Sequence, residues 1–121
     1  MRKVDFENWD KEVTESEIPV LVFFKADWSP SCVEVAELLK EVSSEYEGRI
    51  KSVYVDYDSE RELVLQKRVY VPPTIIIFYK GIPVRGVPGP APAKVIKNCV
   101  DRALRVVERV KAKSNSADTE F

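Results

Sequence analysis

The sequence predicts a layered α/β protein, and three stretches carry that prediction. Residues 20–24, Val-Leu-Val-Phe-Phe, are apolar at every position, the pattern of a central strand with helices covering each face. Residues 33–46 set Val35, Leu38, Leu39, Val42 and Tyr46 on one helical face and Glu34, Glu37, Lys40, Glu41 and Glu45 on the other. Residues 74–79, Thr-Ile-Ile-Ile-Phe-Tyr, read as a second strongly apolar strand that Lys80-Gly81 turns into a hairpin. At 121 residues and 45% hydrophobic, the chain suits one core. One domain over 1–113 is expected, with 114–121 as a disordered tail.

In chain order, Asp5 can cap a first helix, with Phe6, Trp9 and Val13 on its inner face and Val4 stapled across the cap. Ile18-Pro19 ends that segment and the central strand follows. After Trp28, a Ser-Pro-Ser turn leads to Cys32 at the start of the amphipathic helix, where Gly48 can end it. A thiolate on a first helical turn is stabilised by free N–H groups and the helix dipole, so a cysteine there is a candidate for chemistry. Residues 50–57 alternate as a strand with Val53 and Val55 inward, and Ser59 with Glu62 offers a capping box for a short helix to about Lys67. Asp56 and Asp58, without a third ligand, make no convincing metal site. Pro83 marks the strand at 82–87 as an edge strand. The last helix is expected over about 93–110, with Ile96, Cys99, Val100, Ala103, Val107 and Val110 inward; Cys99 then reads as a small buried hydrophobe.

Composition narrows the function. A net charge of -1, from 19 basic and 20 acidic residues, gives no reason to expect nucleic acid or an anionic membrane as a partner. No stretch approaches the roughly 18 apolar residues of a membrane span. The first fifteen residues are charged throughout and hold no apolar signal core, so a cytoplasmic protein is expected. Histidine is absent, which removes the commonest general base and metal ligand. Cys32 and Cys99 match no metal or disulfide framework. No cofactor and no metal are expected. A monomer is favoured, although Val106, Val107 and Val110 could extend an apolar stripe toward a second copy.

Residues 26–32, Ala-Asp-Trp-Ser-Pro-Ser-Cys, resemble the Trp-Cys-x-x-Cys active-site segment of thioredoxins, and Val71-Pro72-Pro73-Thr74 resembles the cis-proline loop of that family. The similarity spans about residues 4 to 105. It implies a thioredoxin fold, a central mixed β-sheet of four to five strands flanked by helices on both faces. By the same resemblance, Ser29 stands at the attacking cysteine, Cys32 at the resolving one, and Phe23 at the buried acid that assists the resolving thiol. It further implies a groove for an extended protein or peptide segment, built from Trp28, Pro73 and Gly89 and bordered by Pro30, Ser31 and Pro72. Pro72 has no N–H to offer such a ligand.

A dithiol reductase needs one thiolate to attack and a second to resolve the mixed disulfide. A serine oxygen cannot form that mixed disulfide. The leading expectation is therefore a thioredoxin-like protein that lacks the attacking cysteine and acts as a protein-binding module. Two alternatives stand beside it: a monothiol oxidoreductase using Cys32, and an active thioredoxin carrying an engineered Cys-to-Ser change at Ser29.

Overall fold

A computed structural model of the chain describes the backbone of residues 1–119, with side chains through 113. Five strands form one sheet: β1 (Arg2–Lys3), β2 (Val20–Lys25), β3 (Lys51–Asp56), β4 (Thr74–Tyr79) and β5 (Ile82–Pro88). Their order is β1-β3-β2-β4-β5, with β2 central. β3 runs parallel to both β1 and β2, whereas β4 is antiparallel to β2 and β5, so the sheet is mixed. Helices α1 (Pro30–Glu45), α2 (Arg61–Gln66) and α3 (Ala93–Thr119) cover it together with a single wide helical turn at Asp10–Thr14.

The alternation of β2 sorts two cores. Leu21 and Phe23 face one side, with Ile75 and Ile77 of β4, Val35 and Leu39 of α1, and Ile96 and Val100 of α3. Val20, Val22 and Phe24 face the other, with Val53 and Val55 of β3, Leu63 and Val64 of α2, and Trp9 and Val13. Successive side chains of a strand point to opposite faces, so five consecutive residues of β2, Val20 to Phe24, supply both cores at once. Trp9 is core as the sequence suggested, meeting Phe78 edge to face with ring centroids 5.0 Å apart. Tyr46 ties α1 to α3 by donating its hydroxyl proton to Asp101 at 2.6 Å. Burial, reinforced by that bond, pushes the Tyr46 phenol up to about 12.

Several local expectations need correction. Asp5 and Asn8 exchange reciprocal side-chain bonds of 2.8 and 2.9 Å, which caps the first turn, but Phe6 points outward and is exposed. Ser59 and Glu62 form no capping box, because α2 begins one residue later than that box requires and Glu60 is its cap. Glu60 instead accepts the Phe6 N–H at 2.9 Å, joining the first turn to α2. The hairpin turn forms as read, with Lys80 and Gly81 at φ 53 and 83. A Cβ at Gly81 would lie 3.0 Å from the Thr14 side chain. β5 is an edge strand, and a bulge between Ile77 and Phe78 shifts its register beside Pro83. α3 is longer than its periodicity predicts, since helical backbone continues through Thr119 over part of the segment expected as a tail. Residues 120 and 121 lie outside the described residues.

Glu12, a buried carboxylate that the sequence did not single out, joins three elements. Its Oε1 takes Arg2 of β1 at 2.9 Å and its Oε2 takes Lys51 of β3 at 2.6 Å. Lys51 also donates to the Glu12 carbonyl at 2.7 Å. The Lys51 hydrogen bond, with the nearby positive charges, holds the Glu12 carboxyl below its ordinary value of 4.5 against the opposing effect of burial. A depressed carboxyl stabilises the fold fully above its unfolded value, and the contribution is lost as pH falls through the folded value. Glu12→Gln should therefore lower the melting temperature near neutral pH, and the gap from the wild type should narrow as pH falls below 4.5 and close once it has passed through the lowered folded value. A gap that persists unchanged into acid would show that the carboxylate charge is not what matters. In the α1 core, Leu39→Ala should cost about 2–5 kcal/mol in denaturant unfolding.

Candidate functional site

The sheet topology gathers the sequence-predicted residues at one end. β2 and β3 run parallel and finish together, with Lys25 beside Asp56, while β4 begins there, with Thr74 opposite Phe24 and Pro88. The segment leaving β2 (Ala26 to Ser29), the segment leaving β3 (Tyr57, Asp58), the loop before β4 (Pro72, Pro73) and the segment leaving β5 (Gly89) all emerge at that end.

The start of α1 is closely tied. Ser29 donates its N–H to the Ala26 carbonyl at 3.2 Å, and Cys32 donates its own to the Ser29 carbonyl at 3.1 Å. Ser29 is extended, at φ -94 and ψ 115, and caps the helix without a side-chain bond. Pro30 follows in the first turn, where its missing N–H costs nothing. The Cys32 Sγ accepts the Ala26 N–H at 3.4 Å, and the residue is 4% exposed, in the same buried cluster as Phe23. Ser29 is also buried; Ser31 is half-buried and Pro30 exposed.

Trp28 is the outward part of the site, at 65% exposure. Its indole N–H donates to Asp58 Oδ2 at 2.8 Å, and Asp58 is oriented in turn by its own N–H, which donates to Asp56 Oδ1 at 3.0 Å. From the sequence alone these two acids read only as candidate metal ligands. The signal that could have found their role is the parallel pairing of β2 with β3, which sets the residues following each strand side by side. Beside the indole, Lys25 pairs with Asp27 at 2.7 Å. That bond raises the lysine and lowers the aspartate from their ordinary values.

The Pro72–Pro73 peptide bond is cis. Both prolines are buried, and the Pro73 carbonyl accepts the Gly89 N–H at 2.8 Å. Gly89 adopts φ 79, which an L side chain rarely does, yet a Cβ there would meet nothing within 4 Å. Glycine is thus required by the turn, and the space beside it is open. Thr74 secures the loop by donating its hydroxyl proton to the Val71 carbonyl at 2.6 Å. Cys99 is separate from this end, buried on α3, and burial pushes its thiol up while Arg85 and Arg102 pull it partly back. Among the described residues, no group of three potential metal ligands gathers, and no helix is long and apolar enough to cross a membrane.

The Asp58 bond has a measurable consequence. Asp58→Ala should release the indole, seen as a fall in the anisotropy of Trp28 fluorescence once Trp9 is replaced by Phe. The stability change attributable to Asp58 should be about 1 kcal/mol or less, because the bond is exposed.

The thioredoxin family model matches residues 1–102. Similar proteins include Thioredoxin 1 of Synechococcus elongatus, 36% identical over 94 residues that make up 78% of this chain and 88% of that protein. Thioredoxin 1 of a Nostoc species is 35% identical, again over 94 residues, 78% of this chain and 88% of its own. Thioredoxin C-2 of Corynebacterium nephridii is 33% identical over 98 residues, 81% of this chain and 91% of its own.

Proposed function

This chain belongs to the thioredoxin family, and from that membership we propose that it is a member without dithiol activity that binds an extended protein segment beside Trp28, Pro73 and Gly89. The observation that carries this reading is the contrast between Trp28, 65% exposed, and Cys32, 4% exposed. Thiol–disulfide exchange needs a thiolate that can reach a disulfide sulfur in line, and a thiol enclosed to this degree has no such approach. Ser29, at the position that resemblance gives to the attacking cysteine, cannot supply the sulfur.

Phe23 supports the same reading. It is fully buried in β2 at the position that resemblance gives to the acid serving the resolving thiol. A phenyl ring moves no proton. An engineered change at Ser29 would leave Phe23 without explanation, so the combination favours a natural departure from the family's chemistry.

On the binding side, an indole fixed by Asp58 offers a large apolar face without the entropy cost of ordering it on association. The open space at Gly89 lets a ligand backbone come close, while Pro72 limits the adjoining backbone to accepting hydrogen bonds. One observation favours the monothiol alternative, namely that Cys32 lies in the first turn of α1; its burial opposes it.

Reduction of insulin by dithiothreitol, followed by turbidity, separates these readings. The wild-type protein should leave the rate at its uncatalysed value. Ser29→Cys should raise it and should form an internal disulfide with Cys32 on treatment with oxidised glutathione, which is reduced as the two thiols are oxidised. Acceleration by the wild type would overturn the proposal.

A further inference from the structure

On the side of the molecule where edge strand β5 meets α3, four guanidinium groups line one groove: Arg85 from the strand, and Arg102, Arg105 and Arg109 from the helix. The helical three recur at i, i+3 and i+7, so they share a face. All four are exposed, and among the described residues none makes a salt bridge. The nearby acid Asp101 is committed elsewhere, to the Tyr46 hydroxyl. Like charges at these spacings repel, so the arrangement costs stability in the free protein, and no ion pair among the described residues offsets it. Val106 lines this groove and also the neighbouring recess of about 340 Å³, whose other aliphatic walls are Ile82, Pro83, Val84, Val107 and Val110. Ile82 and Val110 are more than half exposed, at 65% and 52%. Cation and apolar surface are therefore continuous.

We propose that this β5–α3 surface docks an acidic segment of a partner protein, its carboxylates on Arg85, Arg102, Arg105 and Arg109 and an apolar side chain in the recess beside Val106. Guanidinium groups bind carboxylates bidentately, which gives the surface geometric selectivity as well as charge. The apolar recess selects a peptide over a bare inorganic anion. A nucleic acid fits less well, because among the described residues Tyr79 is the one aromatic lining side chain and the whole chain carries a net charge of -1. None of these residues belongs to the Trp28 end, so the two surfaces can be occupied together. Pro83 and the adjoining bulge interrupt the free edge of β5, which leaves side chains rather than strand addition to hold the partner.

The test uses the full chain and a fluorescein-labelled synthetic peptide of alternating Glu and Leu, read by fluorescence anisotropy. Binding should weaken as salt rises, and the same peptide with Gln for Glu should bind at least about tenfold more weakly. Arg102→Glu with Arg105→Glu should abolish it, while Arg102→Lys with Arg105→Lys should keep most of it. The reversal relieves like-charge repulsion on α3, so it should fold; NMR amide shifts of the wild type, confined to β5 and 102–110, supply a second readout that needs no variant. Trp28→Ala should leave the affinity unchanged, which separates this surface from the Trp28 groove. Equal binding of the Gln peptide, shifts centred on Trp28, or tighter binding of a short oligodeoxynucleotide would overturn the proposal.

Discussion

Everything in this molecule depends on burying both faces of β2. A strand that is apolar at successive positions cannot lie at a surface, so it needs a covering layer on each side and a neighbour along each edge. The chain meets the first need with α1 and α3 on one face and with α2 and the Asp10–Thr14 turn on the other. It meets the second with β3 in parallel and β4 in antiparallel alignment. The direction of those neighbours then decides where loops can meet. Trp28, Asp58, Pro73 and Gly89 are brought to one end because three strand ends and one strand start coincide there.

The same burial explains why the site is half closed. Cys32 is the third residue of α1, and α1 packs on the Leu21 and Phe23 face, so the thiol is carried into that core and held by the Ala26 N–H. Trp28 precedes the helix and stays outside, held by Asp58. The site thus turns a thiol inward and an indole outward. Phe23 completes the contrast by filling with a ring the position where a proton-transfer group would be of use.

Much of this was legible in the sequence. The apolar run at 20–24, the face of Val35, Leu39 and Val42, and the hairpin at Lys80-Gly81 each follow from local rules of periodicity and turn chemistry, and the fold follows from their order. The turn at Asp5 was half read, because a capping pattern fixes where a helix starts but not how far Phe6 rotates from the core. β1 was missed since two charged residues, Arg2 and Lys3, carry no periodicity; only the free edge of β3 makes them a strand. The role of Glu12 and the bond of Asp58 to Trp28 are not legible for a related reason. Each acts through partners distant in sequence, Lys51 and Trp28, and local rules are blind to such pairs.

The central claim is that the remaining thiol at this site is structural and the indole beside it is the working group. The direct measurement is the rate of iodoacetamide alkylation of Cys32 in native protein carrying Cys99→Ala, compared with the same protein in denaturant. The account predicts negligible reaction in the native state and modification only at the rate at which the protein opens. Rapid alkylation of the folded protein would contradict it and make Cys32 a working thiol.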